Sequence, residues 1–324
     1  RQAWFGCACC PSNICRFLPS LPGYVYAVKD NNLYVNLFLS NSATMKVGGK
    51  NVTLTQVTNY PWDGDIAIRV DRNKAGSFGL KVRIPGWIKG RPVPSDLYYY
   101  SDGKRPHYTI MVNGKAIEPT ITDDGYCTID RNWKKGDVVN IHFDMEVRTV
   151  KANTKVEADR GQVSFERGPI VYCAEWADNN FDIMSMLLNQ KPQFTEGKLP
   201  YSSFISDKYK NTLKLYQGQN LTTLTTQAQT LAYDKTGNLT TQNVTLKLIP
   251  YFAWCHRGNG NMKVWMAQNV SASRPSTPPT LASQAKIASS TPSRSMRSII
   301  DGLVPADEND RSMPYFHWWP KQGG

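Results

Sequence analysis

The sequence predicts a mainly β protein assembled from antiparallel β-sandwich domains. Three observations carry that expectation. The composition is rich in Tyr (16), Trp (9) and Pro (20) and lacks long runs of Ala, Leu, Glu and Lys, a balance that suits strands better than helices. From Tyr24 onward the apolar residues recur with a period of two, the signature of a half-buried strand. Gly, Pro and Asn-Gly signals interrupt these segments at short, regular intervals, as in a sandwich.

The first element is the exception. Pro11 to about Leu18 reads as a short helix, with Pro11 at the first helical position and Ile14, Phe17 and Leu18 sharing one face. Pro19 and Pro22 stop it, and Gly23 turns the chain. Leu33 to Leu39 reads as a strand apolar enough to be covered on both faces. Ala43–Val47 and Val52–Val57 form a hairpin around Gly48-Gly49. Asp65–Val70 and Gly79–Ile84 read as another strand pair, ended by Pro85-Gly86. Tyr108–Val112, Asn113-Gly114 and Lys115–Ile117 give the strongest hairpin signal. Tyr126–Ile129 and Val138–Phe143 follow, then Val163–Arg167 and Pro169–Ala174. Residues 176 to 242 are rich in Asn, Gln, Thr and Ser and weakly patterned, with strands expected at Leu213–Tyr216 and Thr230–Tyr233. Val244–Ile249 and Met262–Met266 are clearer. A Ser/Pro/Thr/Ala-rich linker spans 271–298, and 299–324 is too short to hold a core.

Composition limits the function classes. The chain has 324 residues, 40% hydrophobic and 11% aromatic, so it can bury proper cores and is not a disordered chain. No apolar run reaches the ~18 residues of a membrane span. The chain opens Arg-Gln-Ala-Trp-Phe, without Met, and reads as a piece of a longer protein. Net charge is +12, yet the 38 Lys and Arg are scattered, and no nucleic-acid-binding motif accompanies them. No nucleic-acid partner is expected.

Seven cysteines are present. Cys127, Cys173 and Cys255 stand alone in strand-like stretches and read as small buried hydrophobes. Cys7, Cys9, Cys10 and Cys15 crowd the start. Adjacent cysteines such as Cys9 and Cys10 pair poorly with each other, because disulfide geometry needs suitably directed Cβ atoms. The start of a helix favours thiolate, the form that binds zinc and attacks carbon. Residue types alone leave several readings open: metal binding, catalysis, inert burial, and redox or lipid chemistry. Other candidates carry less. Tyr98-Tyr99-Tyr100, Trp62 and Trp87 suit sugar stacking, but aromatics at strand ends more often pack a domain interface. Glu146, Glu166 and Glu175 read as solvated or turn-facing carboxylates. His256 reads as structural. Five Asn-x-Ser/Thr sequons, at Asn51, Asn220, Asn238, Asn243 and Asn269, matter only in a secreted eukaryotic protein.

At Trp4-Phe5-Gly6-Cys7-Ala8-Cys9-Cys10-Pro11-Ser12-Asn13, followed by Arg16-Phe17 and Gly23-Tyr24-Val25-Tyr26, the sequence resembles glycoside hydrolase family 127, the β-L-arabinofuranosidases, close to family 146. The likeness continues through Leu33-Tyr34-Val35-Asn36-Leu37, Tyr60-Pro61-Trp62-Asp63-Gly64, Arg83-Ile84-Pro85-Gly86-Trp87, Trp133-Lys134-Lys135-Gly136-Asp137 and Arg167-Gly168-Pro169-Ile170-Val171-Tyr172. It is looser beyond about residue 175, although Ile249-Pro250-Tyr251-Phe252-Ala253-Trp254 also fits. The resemblance implies an (α/α)6 barrel followed by sandwiches, so residues 1–28 would be the end of a truncated catalytic barrel, 29–175 a β-sandwich, 176–270 a second β-rich region, 271–298 a linker, and 299–324 the start of a carbohydrate-binding-like module.

The same resemblance implies a Zn²⁺ cofactor, with Cys9 as nucleophile and ligand and Cys10 as a second ligand. Cys7 matches a motif cysteine that is not taken as a ligand. The parent would be a retaining exo-glycosidase that releases β-linked L-arabinofuranose from arabinofuranose-containing glycans. Its acid/base Glu and remaining ligands would lie upstream of Arg1, so this chain alone would be inactive. A periplasmic or secreted place is expected for the intact protein, and a homodimer through the sandwiches fits the same reading. The alternative is a non-catalytic carbohydrate-binding or dimerisation protein in which the cysteines are left over.

Overall fold

The computed structural model describes residues 9–204, 219–258 and 260–277. Cys7, Leu213–Tyr216, most of the expected linker and the segment 299–324 lie outside the described residues. The described strands form three sheets, and mainly antiparallel β is what the alternation and turn signals predicted.

The first two sheets face each other. A four-stranded sheet runs in the order Tyr26–Lys29, Asn32–Val35, Ser77–Arg83, Tyr126–Asn132. A six-stranded sheet runs Asn41–Val47, Lys50–Thr58, Asp65–Asn73, Val138–Phe143, Tyr108–Val112, Lys115–Ala116. Their inward residues, among them Leu33, Leu80 and Cys127 from one and Leu54, Ile68, Ile141 and Phe143 from the other, make one core. Both expected hairpins are present, and their turns show why those residues are there. Gly48 and Gly49 sit at φ +54° and +78°, and Asn113 and Gly114 at φ 52° and 76°. A tight hairpin of this type needs positive φ at both central positions, which Gly and Asn tolerate best.

The expected pairing of Asp65–Val70 with Gly79–Ile84 is corrected. These strands belong to opposite sheets: Ser77–Arg83 pairs parallel with Asn32–Val35 and antiparallel with Tyr126–Asn132. The short link between them arches from one sheet to the other. Asn73 holds the arch, its Nδ2 donating to the carbonyls of Gly76 and Trp133 at 2.7 Å each. The strand expected over Leu33–Leu39 ends at Val35. At Asn36 the amide still donates to the Val25 carbonyl at 2.9 Å, while its side chain accepts from Tyr126 Oη at 2.8 Å and donates to the Tyr24 carbonyl at 3.2 Å.

The third sheet has ten described strands. Its main path runs Met186–Leu188, Asn220–Tyr233, Leu239–Pro250, Ile170–Glu175, Gln162–Arg167, Val147–Ala152, Tyr98–Tyr100. Thr195–Pro200, Met262–Lys263 and Met266–Ala267 add to its edges. The strands at 147–175, read from sequence with the first sandwich, therefore hydrogen-bond into the same sheet as 220–250. Alternation reports that a strand is half-buried, but says nothing about its partner. Val163, Phe165, Tyr172, Leu224, Leu246 and Met266 pack on one face of this sheet, while Cys173, Phe204, Leu221 and Ile249 pack on the other. The turn at 233–238 groups separately from these strands. Within it, Asp234 accepts from the amides of Thr236 at 2.8 Å and Asn238 at 2.9 Å.

Candidate functional site

The helix that carries the sulfur pair spans Cys9–Ser20. It already includes Cys9 and Cys10, two residues ahead of the start expected at Pro11. Proline tolerates any place in a first turn, because amides there have no helical partner to lose. Ser12 Oγ donates to the Cys9 carbonyl at 3.1 Å. At the other end Ser20 Oγ donates to the Phe17 carbonyl at 2.7 Å. Ile14, Phe17 and Leu18 lie on one face as expected, but each is more than half exposed. No described residue buries this face.

Cys9 and Cys10 are exposed, with Sγ atoms 3.7 Å apart. Two sulfurs bound at ~2.3 Å to one tetrahedral zinc would lie ~3.8 Å apart. Donor type and spacing therefore fit a shared zinc. The number of donors is incomplete: among the described residues no group of three or more His, Cys, Asp or Glu is placed to hold a metal ion. Structural zinc takes four protein ligands and catalytic zinc about three, so further donors must come from outside the described residues.

The glutamates read as solvated are corrected in two of three cases. Glu166 is buried, because Tyr100 crosses into the third sheet and its Oη donates to Glu166 Oε2 at 2.5 Å. Burial holds the Glu166 carboxyl above its usual range, against the lowering effects of the Tyr100 hydrogen bond and the Arg148 charge. Arg148 lies 3.5 Å from the Tyr100 ring centroid and forks onto Asp102 at 2.7 and 3.1 Å. That hydrogen-bonded guanidinium holds Asp102 below the usual carboxylate range. Glu175 is also buried. It pairs with Arg257 and accepts from the Cys255 amide at 3.1 Å. Arg257 Nη1 donates to Asp178 at 2.9 Å, and its guanidinium sits 4.6 Å from the Phe204 ring centroid. Both glutamates are enclosed by structural partners, and neither is exposed for proton transfer to a sugar.

The aromatic candidates also resolve. Trp87 and Tyr100 are buried in the first core. Trp62 sits where the first sandwich meets the third sheet: its carbonyl accepts from Arg167 Nη1 at 2.9 Å, and its ring lies 6.0 Å from Phe252. Arg167 is itself held by Glu196 at 2.6 Å. Sequence reading singled out the Arg167 segment as a motif but could not show this clamp, because its partners lie 105 and 29 residues away. A further polar group went unmarked. His142 Nδ1 lies 2.7 Å from Asp65, and His142 Nε2 lies 3.3 Å from Asp144. The only signal for it is that both His142 and Asp65 take outward positions on adjacent strands.

The family model described as the β-L-arabinofuranosidase GH127 middle domain matches residues 32–145, and the glycoside hydrolase family 127 C-terminal domain matches 147–267. The chain belongs to glycoside hydrolase family 127. Its two domains meet where the chain leaves the six-stranded sheet at Phe143 and enters the ten-stranded one at Val147; Tyr98–Tyr100 reaches from the middle domain into the C-terminal sheet. A non-reducing end β-L-arabinofuranosidase of Bifidobacterium longum subsp. longum is 32% identical over 278 residues, 82% of this chain and 38% of that protein. A solved GH127 β-arabinofuranosidase is 53% identical with a TM-score of 0.77, over 86% of this chain and 41% of that one. A solved GH127 β-L-arabinofuranosidase from Geobacillus stearothermophilus T6 is 31% identical with a TM-score of 0.67, over 82% and 38%. The chain thus spans about two fifths of the length of these family members.

Proposed function

We propose that this chain is part of a retaining exo-glycosidase that releases β-linked L-arabinofuranose from glycans, with Cys9 as nucleophile and Cys9 and Cys10 as zinc ligands. The observation that carries the proposal is the exposed sulfur pair at zinc-compatible spacing in a family 127 chain. Cys9 Sγ attacks the anomeric carbon from the face opposite the leaving group. The departing oxygen takes a proton from a carboxylic acid outside the described residues, and water then displaces the sulfur with the same carboxylate as base. Two inversions give net retention. Zinc, when bound, keeps the sulfurs deprotonated and oriented. The helix presents the pair on its first turn, where Ser12 Oγ donates to the Cys9 carbonyl. The acid/base carboxylate and the further zinc ligands lie outside the described residues, and the proposal includes that the 324-residue chain by itself is inactive.

Metal analysis and activity test the two halves separately. The full-length protein should hold about one zinc per chain and lose it, with its activity, in Cys9→Ala and Cys10→Ala. NMR of the first-formed product should show the β anomer. A zinc-free wild type, or an active Cys9→Ala, overturns the thiolate mechanism in favour of a non-catalytic or carboxylate-based protein. The isolated chain should show no hydrolysis of an aryl β-L-arabinofuranoside above background.

A further inference from the structure

The outer face of the six-stranded sheet carries rows of side chains that cross its strands. The central row is Val57, Ala67, Asn140 and Met111, fixed by the pairings Val57↔Ala67, Ala67↔Asn140 and Asn140↔Met111. Beside it runs Asp65, His142 and Thr109. Inward neighbours such as Ile66, Ile68, Val139 and Ile141 are buried, so alternation turns these rows outward. Ala67 is short, and the larger residues around it leave a trough of about 500 Å³ that also reaches Asn59 and Asp63. This volume is in the ~300–1,000 Å³ range of ligand sites. Four strands spaced ~4.8 Å apart make the trough ~14 Å wide, room for a short chain of sugars.

The lining selects a ligand class. Val57 is 64% exposed and, with Ala67 and Met111, offers an apolar floor. The walls are polar and held in place. His142 is pinned between Asp65 and Asp144, and Asp63 accepts from Asn59 Nδ2 at 3.1 Å and from the Asp65 amide at 3.2 Å. A carboxylate has about four acceptor sites, so Asp63 and Asp65 keep unused ones. No described residue hydrogen-bonds to the Asn140 side chain. The trough therefore joins carboxylate, amide and imidazole groups to C–H-rich surface. It is acidic at its rim on a chain of net charge +12, which disfavours uronates, phosphates and nucleic acid. Paired hydroxyls donate to carboxylates and amide oxygens while sugar C–H faces lie on aliphatic side chains. We propose that this trough binds a neutral oligosaccharide, with Asp65 and Asn140 taking its hydroxyls.

The test uses the full 324-residue chain in affinity gels cast with arabinan, xylan, galactan or polygalacturonate. At least one neutral polymer should retard the chain. Asn140→Ala should weaken that binding at least tenfold, and Ala67→Phe, which fills the trough, should abolish it, while Cys9→Ala leaves it unchanged. Asn140→Ala lies on the outer face and should keep the wild-type Tm, so it decides the outcome if Ala67→Phe folds poorly. The proposal is overturned if no neutral polymer binds, if both trough variants bind like wild type, or if polygalacturonate binds in a trough-dependent way. Loss of the zinc mechanism with binding intact leaves this proposal standing.

Discussion

Cysteines occupy two contrasting regions of this molecule. Cys9, Cys10 and Cys15 ride on an exposed helix, whereas Cys127 and Cys173 are fully buried inside two different sheets. Burial pushes the Cys127 thiol up, and burial together with the nearby charges of Glu175 and Asp178 pushes Cys173 up to about 12. The side chain is the same, and its surroundings divide it into exposed thiol and core filler. Spacing in the sequence suggested this division, and the two sheets enforce it for Cys127 and Cys173; Cys255, also expected to be buried in a strand, is only half-buried and lies in a turn at φ 70°.

The largest expected effect is on reactivity. At pH 8 a thiol with a pKa near 12 is thiolate in about one molecule in 10,000. A short iodoacetamide pulse read by mass spectrometry should modify the helix cysteines at least ~1,000-fold faster than Cys173. Comparable labelling of Cys173 in native protein would break the contrast. Stability should run the other way. Removing the cation beside Cys173 with Arg257→Ala leaves Glu175 buried without its cation and Asp178 with Lys247 at 3.6 Å, an expected loss of about 3–5 kcal/mol in urea unfolding. A smaller loss, about 1–3 kcal/mol, is expected for Cys173→Ser, which buries a hydroxyl in place of sulfur. The matching Cys10→Ser on the exposed helix should stay within about 0.5 kcal/mol of wild type. An equal loss at both sites would show that exposure does not set the difference.

The smallest effect belongs to a group between these extremes. His142 is half-exposed, and its hydrogen bond to Asp65 raises its pKa above 6.5. The folded state therefore holds its proton more tightly than the unfolded chain does. The resulting stabilisation is complete below about pH 6.5 and is lost as pH rises through the folded pKa. Melting temperature should fall slightly across that window, and Asp65→Asn should flatten the slope. A slope that survives Asp65→Asn assigns it to another group.

Much of the local structure was legible. Gly48-Gly49 and Asn113-Gly114 announced their hairpins because only a few residues accept positive φ at consecutive positions. Val138–Phe143 was read with its observed bounds from the Lys134-Lys135-Gly136-Asp137 turn that feeds it. Cys9 and Cys10 were marked by density, and the helix does bring their sulfurs together. What could not be read was partnership. Asp65–Asn73 and Ser77–Arg83 look like a hairpin from their separation, yet Asn73 builds an arch that sends them to opposite sheets. Glu166 and Glu175 look solvated because carboxylates usually are, yet Tyr100 and Arg257 arrive from 66 and 82 residues away to enclose them.

The sequence by itself determined the β character, the turns, the family and the sulfur pair. Each of these depends on a residue and its near neighbours: a φ preference, a two-residue period, a run of Cys beside Pro. Tertiary structure alone decided which sheet each strand joined, which thiols were buried, which glutamates were enclosed, and that Asp65, Asn140 and His142 share one trough. Those outcomes depend on what covers a side chain, and burial is a property of contacts across the whole fold. A carboxylate or a thiol acquires its chemistry only when distant strands close over it or leave it open to water.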